Sequence, residues 1–347
     1  DLARRHVAKL NDQRRKDLVA LLDRYRGERV LVPVSGGKDS TFQVVTMLEL
    51  GMRVLAVTAT TDYLTPLGRK NLDNLKQLGC DHIEVTADRK VRAKLMRIGL
   101  TVIGDLSYGE HASIFATPVR VAIQQGIRLI CWGESSQDLY GQGHEIPMGR
   151  RWFSEFAGLN GLRPADIVGR VGLTAEDMHW YSYPSDAEIE AAGINAIWLG
   201  SFINWDGRRN AEIAMAHGFT PYDKQAALNE GSYWEFENAD NAATVWRDAA
   251  KARKFAFGRV TDQTSCDIRS GRLTRAEAAE IVREYDGRWP RVSRGVSIDD
   301  FAAYLGMTAD ELEAETDKWC NPALFHFRDG KPIKDEHGRP VPKDWGF

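Results

Sequence analysis

The sequence predicts a doubly wound α/β fold: a parallel, five-stranded sheet followed by a helical C-terminal region. Three observations carry that prediction. Short apolar runs alternate with segments of helical periodicity, and no hairpin signal separates them, so the strands are joined by crossovers and lie parallel with both faces covered. The first run ends in a glycine-rich turn that opens a helix. Beyond residue 205 the apolar runs give way to helix-length segments headed by capping residues.

Residues 7–26 place Leu10, Leu18, Leu21, Leu22 and Tyr25 at helical spacing in a basic, polar stretch, and Gly27 closes them, so residues 1–27 read as an amphipathic N-terminal helix. Residues 29–34 form the first strand, the turn follows, and residues 41–48 continue as a helix. A strand at 53–59, a helix at 67–78 ended by Gly79, a strand at 82–85 and a helix at 90–100 repeat the alternation. The next helix, 111–125, is expected to be interrupted or started near Pro118. It leads to a buried strand at 128–132 that runs into Gly133 and Glu134.

Residues 140–184 are rich in glycine, aromatic and charged residues without periodicity, and are too long for a connector, so an insertion or lid is expected there. Within it, residues 163–167 and 174–177 suggest short capped helices. The last strand, 194–200, completes an α/β domain over 28–205. Helices follow at 211–217, 240–255, 274–285, 297–305 and 308–318, giving a helical substrate or partner region over 206–328. Ser297 and Thr308 are N-caps. Residues 329–347 carry excess Gly, Pro, Lys and Asp and read as a mobile or partner-clasping tail.

Composition narrows the function classes. A net charge of -3 over 347 residues argues against a nucleic-acid binder driven by bulk charge. No apolar stretch of about 18 residues or more offers a membrane span, and the first residues do not open a signal peptide, so a cytoplasmic protein is expected. The chain opens at Asp1 rather than Met, so the natural protein is expected to begin earlier. Cys80, Cys131, Cys266 and Cys320 are widely spaced and form no C-x-x-C pair, which points to reduced thiols and no zinc site.

The chemistry centres on Ser35-Gly36-Gly37-Lys38-Asp39-Ser40. Two glycines let successive N–H groups converge, and a helix N-terminus adds unpaired donors and its dipole; such a turn binds a phosphate or pyrophosphate. Lys38 adds a mobile positive charge, and Ser35, Ser40 and Thr41 add hydroxyls. The string is neither G-x-x-x-x-G-K-[ST] nor G-x-G-x-x-G. Ligands of parallel sheets lie at the carboxyl ends of the strands, which brings in Thr58 after the second strand and Gly133 after the fourth. Glu134 reads as a substrate or metal contact, or as a surface carboxylate.

The turn resembles the PP-loop of the ATP pyrophosphatases, which cleave ATP between its α and β phosphates. The resemblance implies a HUP-type sheet, with residues 35–41 binding ATP, Lys38, Asp39 and Ser40 acting in catalysis, and Asp39 helping to place Mg²⁺. Further blocks taken in order are similar to the N-acetyl sugar amidotransferases of bacterial surface-polysaccharide and flagellar-glycan pathways: Gly68-Arg69-Lys70-Asn71-Leu72, Arg97-Ile98-Gly99, residues 115–120, Gly133-Glu134, Trp205-Asp206, residues 237–240, 254–262 and 267–278. This similarity implies ATP-dependent conversion of a sugar acetamido group to an acetamidino group. The acceptor would be a sugar or nucleotide sugar, with Arg69, Arg120, Arg259 and Arg269 as contacts for it or for phosphate; a structural salt bridge is the plain alternative for the arginines.

Members of that family often carry a Cys-rich segment before the loop, and the given sequence shows none, whether through truncation or real absence. It also shows no glutaminase nucleophile, so ammonia is expected from a separate glutaminase subunit; a homo-oligomer is allowed. Two other readings stand beside it. Cys266, close to Arg269, offers a thiol whose pKa cationic neighbours would lower, as a sulfurtransferase acting on a heterocycle or an RNA nucleoside would need, though a packed cysteine is the commoner case. A non-catalytic nucleotide-binding protein would use the same fold.

Overall fold

The computed structural model describes residues 2–133, 159 and 161–343, and of residues 2–11 the backbone alone. The chain divides into two compact units: Asp1–Thr61, Pro66–Asp88 and His111–Thr220 in the first, and Asp62–Thr65, Arg89–Glu110 and Pro221–Phe347 in the second.

The first unit is built on a five-stranded parallel sheet in the order β3-β2-β1-β4-β5, with β1 at Arg29–Pro33, β2 at Arg53–Ala59, β3 at Asp81–Val85, β4 at Leu129–Trp132 and β5 at Asn195–Trp198. This is the doubly wound parallel sheet that the alternating pattern predicts, in the five-stranded form expected. Val30, Leu31 and Val32 of the central strand are wholly buried, as covering both faces of a parallel sheet requires. Each such side chain contributes about 1.5–3 kcal/mol by leaving water. One face packs Leu31, Leu55, Val57, Ile130 and Trp132 against Val119 and Ala122.

Helices of this unit are α1 (Leu2–Leu22), α2 (Lys38–Glu49), α3 (Pro66–Leu75), α5 (Tyr108–Gln125), the single turn α6 (Pro164–Ile167), α7 (Asp186–Ala191) and α8 (Gly207–Ala216). Two expectations are corrected. Helix α5 runs unbroken through Pro118: Ala112 and Ala116 before the missing N–H and Val119, Val121 and Ala122 after it hold its buried face in the core. Residues 174–177 form a turn instead of a helix, in which the Asp177 carboxylate accepts from the Thr174 N–H at 2.7 Å and its hydroxyl at 2.8 Å. The capping pair is present, but no apolar face follows it. Of the expected lid, residues 140–158 and 160 lie outside the described residues.

The second unit holds α4 (Arg89–Ile98), α9 (Lys224–Asn229), α10 (Thr244–Phe255), α11 (Arg259–Arg269), α12 (Arg275–Tyr285), α13 (Ile298–Tyr304) and α14 (Ala309–Asp317), with two short hairpins, β6–β7 (Val292–Ser293, Val296–Ser297) and β8–β9 (Phe327–Arg328, Lys331–Pro332). Its core centres on Trp246, stacked on Phe301 at 4.8 Å between ring centroids, with Leu305, Leu312 and Trp289. Thr274, Ser297 and Thr308 cap their helices through the N3 backbone N–H.

The C-terminal stretch is not a mobile tail within its described part. The Trp289 N–H donates to the His337 carbonyl at 3.0 Å, buried Arg253 donates to the Gly338 carbonyl at 2.9 Å, and Arg339 donates to the carbonyls of Arg283 and Glu284 at 2.9 Å each. Its Gly and Asp residues serve tight turns, as at Asp329 and Gly330, both at positive φ. Among the described residues no helix is long and apolar enough to cross a membrane.

Candidate functional site

Strands β1 and β4 are neighbours, and the chain winds away from them in opposite directions, so their carboxyl ends flank the crevice where a sheet of this kind takes its ligand. Residues 35–40 leave β1 at that point. Gly36 has φ +82°, and a Cβ there would lie 2.9 Å from both the Leu72 backbone nitrogen and its Cγ, so only glycine fits. Gly37 is the N-cap of α2. Its carbonyl accepts from the Ser40 and Thr41 hydroxyls, both at 3.0 Å, while its N–H donates to the Ser35 Oγ at 3.3 Å. These contacts fix a curled backbone at a helix N-terminus, the arrangement that receives an oxyanion.

Lys38 is almost wholly buried and pairs with the Asp39 Oδ2. Asp39 Oδ1 accepts from Asn210 Nδ2 at 3.0 Å. Asn210 lies on α8, whose N-cap Asp206 accepts from the Arg208 and Arg209 N–H groups and whose neighbour Trp205 meets Phe42 of α2 edge-on at 5.6 Å. The sequence reading named Trp205-Asp206 only as a block of family likeness and missed Asn210, whose signal is its place one turn inside a capped helix. Gly133, at the end of β4, leaves room for α2: a Cβ would lie 2.6 Å from Gln43 Nε2 and 3.3 Å from Trp205. Glu134 lies outside the described residues.

The buried Thr58 hydroxyl lies 2.9 Å from the Val34 carbonyl and 2.8 Å from His82 Nε2, and so braces the start of the loop from beneath. Burial lowers the pKa of His82 and keeps its ring neutral at neutral pH.

The predicted substrate arginines fall in two sets. In the first unit, Arg69 grips Glu84 at 2.6 and 2.9 Å, and Arg120 donates to the Ser182 carbonyl at 2.7 and 3.1 Å. In the second, Arg259 holds Asp248 through two bonds of 2.9 and 3.1 Å. Burial alone would raise the Asp248 carboxyl, but the charges of Arg247 and Arg259 hold it well below the usual carboxylate range. Asp248 and Glu237 line a small polar cavity with Glu230 and Arg294. Arg269 donates to the Cys266 sulfur at 3.2 Å on α11, a helix the sequence reading did not foresee.

Cys266 does not have the lowered pKa expected of a sulfur carrier. Burial pushes the thiol up, and the charge of Arg269 is not enough to reverse it, with Asp262, Glu237 and Asp267 adding to the rise. Burial likewise pushes Cys131 up to about 12.

The loop fits a phosphate-bearing ligand. The curled backbone requires glycine at position 36, and Gly37 opens α2, whose first N–H groups supply donors for an oxyanion. Among the described residues no group of three His, Cys, Asp or Glu is arranged to hold a metal ion. Mg²⁺ that shares a single carboxylate and the phosphates of its nucleotide needs no such group, and Asp39 would be that carboxylate.

Residues 230–335 match the family described as LPS biosynthesis protein WbpG-like, C-terminal domain. The blocks at 237–240, 254–262 and 267–278, on which the polysaccharide-pathway resemblance partly rested, all lie within the matched residues. No curated protein matches the chain. Among solved structures, NMN synthetase from Francisella tularensis aligns at 13% identity over 80% of this chain and 92% of its own, with a TM-score of 0.38. A predicted subunit of tRNA methyltransferase from Methanocaldococcus jannaschii aligns at 15% identity over 54% and 74%, with a TM-score of 0.28. Neither likeness bears on function at those scores.

Proposed function

We propose that the chain is an ATP-dependent amidotransferase of surface-polysaccharide biosynthesis, converting an acetamido group of a sugar or nucleotide sugar to an acetamidino group. The observation that carries this reading is the conjunction of a glycine-constrained phosphate loop at the sheet's crevice with a WbpG-like C-terminal region. In the reaction the acetamido oxygen bonds to the α-phosphorus of ATP as the α–β bridging bond breaks and pyrophosphate leaves. Ammonia then adds to the amide carbon, and AMP departs carrying the former amide oxygen, leaving a protonated amidine.

The chain's own residues have defined tasks in this scheme. Backbone N–H groups of residues 36–40 and the Lys38 ammonium receive the charge that grows on the β and γ phosphates. Asn210 fixes the Asp39 carboxylate so that one oxygen keeps a constant direction. Bound Mg²⁺, shared between Asp39 and the phosphates, would supply further charge neutralisation. Ammonia would come from a separate glutaminase subunit. The raised thiol pKa of Cys266 supports nitrogen over sulfur as the transferred atom. The test is product analysis with ATP, Mg²⁺, ammonium and an N-acetylated nucleotide sugar: AMP and pyrophosphate are expected, and ADP with phosphate overturns the proposal.

A further inference from the structure

Beneath the phosphate loop a short hydrogen-bonded chain runs from the carboxyl end of β2 to the amino-terminal half of β3. The Val34 carbonyl immediately precedes Ser35 and receives the Thr58 hydroxyl at 2.9 Å, and the same hydroxyl oxygen lies 2.8 Å from His82 Nε2. Beyond the ring, Nδ1 lies 3.8 Å from Glu84 Oε1, and Glu84 is clamped by Arg69. The His82 side chain is 2% exposed.

A threonine hydroxyl carries one hydrogen, so Thr58 cannot donate to Val34 and to His82 at once. If His82 bears its proton on Nε2, it donates to Thr58, and the threonine hydrogen goes to the Val34 carbonyl. If the proton sits on Nδ1, Nε2 becomes an acceptor and draws the threonine hydrogen off the loop. Both neutral forms have the same charge, so the choice between them is a choice of hydrogen-bond direction.

We infer that His82 is a positioning residue for the phosphate loop: as the Nε2–H tautomer it orients the Thr58 hydroxyl onto the Val34 carbonyl and so fixes where residues 35–40 begin. The inference rests on the reading of that loop as the ATP site. It assigns a task to a histidine that touches neither nucleotide nor acceptor, and it explains why a threonine at the end of β2 faces inward. Loss of the chain would let the loop shift, and displacements of about 1 Å at a reacting group cost on the order of 100-fold in rate. Supporting contacts of this kind are worth roughly 10- to 100-fold.

Two measurements on the full chain test it. The first is the ring ¹⁵N spectrum of His82 at neutral pH, assigned by comparison with His82→Gln. An Nε2–H tautomer is expected, and an Nδ1–H tautomer overturns the inference. The second is calorimetric binding of Mg·ATP. His82→Leu and Thr58→Val should each weaken binding about tenfold or more, the double variant should be no weaker than the worse single one, and His82→Gln, whose amide can donate from the Nε2 position, should recover most of the affinity. Wild-type affinity in both single variants, or strict additivity of their effects, overturns the inference while leaving the ATP site standing. If wild type binds no ATP and Lys38→Ala changes nothing, the reading of the loop itself falls. Thr58→Val is nearly isosteric and guards against a folding failure of His82→Leu.

Discussion

Substitution of Gly36 by alanine examines the phosphate loop at its most constrained atom. Gly36 sits at φ +82°, where a residue with a Cβ is disfavoured by roughly 1–2 kcal/mol. The new methyl would also lie 2.9 Å from the Leu72 backbone nitrogen, an atom of α3 that cannot rotate away, and overpacking of this kind costs about 1–3 kcal/mol. Taking the lower halves of both ranges, the loop conformation loses about 2–3.5 kcal/mol against its alternatives, which is roughly 30- to 300-fold in affinity for a ligand that requires it. Gly37→Ala is the control: its φ of −76° is ordinary, and its nearest neighbour is the rotatable Ser35 Oγ at 3.3 Å. Calorimetric titration with Mg·ATP should show a large loss for Gly36→Ala and a loss of a few-fold for Gly37→Ala. Equal affinities in wild type and Gly36→Ala would refute the claim that this backbone curl forms the site.

Other consequences are open to simpler assays. Lys38→Ala should abolish turnover and leave the far-ultraviolet dichroism unchanged; an unaltered rate would remove the loop from the mechanism. Cys266→Ser should retain full activity with ammonium, and the wild-type thiol should react slowly with alkylating reagents at neutral pH because burial raises its pKa; fast alkylation with loss of activity would revive a role for sulfur. The hydrogen bond from Arg69 holds the Glu84 carboxyl below its ordinary 4.5. Its stabilisation is therefore present above that pH and lost as pH falls through the lower folded value. The thermal midpoint should drop on acidification more steeply in wild type than in Glu84→Gln, and parallel curves would show the pair to be without effect.

What the sequence made legible follows from how local each signal is. The turn from β1 to α2 was readable because strand, glycines and helix start lie within about a dozen consecutive residues, and each constrains the backbone on its own. The caps Ser297 and Thr308 were readable for the same reason. Asn210 was not, since its bond to Asp39 joins positions far apart in the chain. Thr58 was placed at the correct edge of the sheet, but which way its hydroxyl turns depends on His82 of a neighbouring strand. Helix α11 escaped notice because its sequence, Arg-Val-Thr-Asp-Gln-Thr-Ser-Cys-Asp-Ile-Arg, is polar almost throughout and buries Gln263, Thr264 and Asp267 beside a single apolar side chain, Val260. There Asp267 accepts from the Trp234 indole N–H at 3.1 Å, and Gln263 accepts from the Tyr233 N–H at 2.6 Å. For Arg69, Arg120 and Arg259 one dimension left substrate contact and structural pairing both open, and three dimensions supply each with a partner in the protein.

The central claim is that the acetamido oxygen attacks ATP and leaves as part of AMP. An acceptor labelled with ¹⁸O in its acetamido carbonyl, turned over with ATP and ammonium, reports this directly by mass spectrometry of the nucleotide. One ¹⁸O atom in the AMP phosphate and none in the pyrophosphate is the predicted result. Unlabelled AMP, with the label retained in the sugar or released to water, would contradict the account.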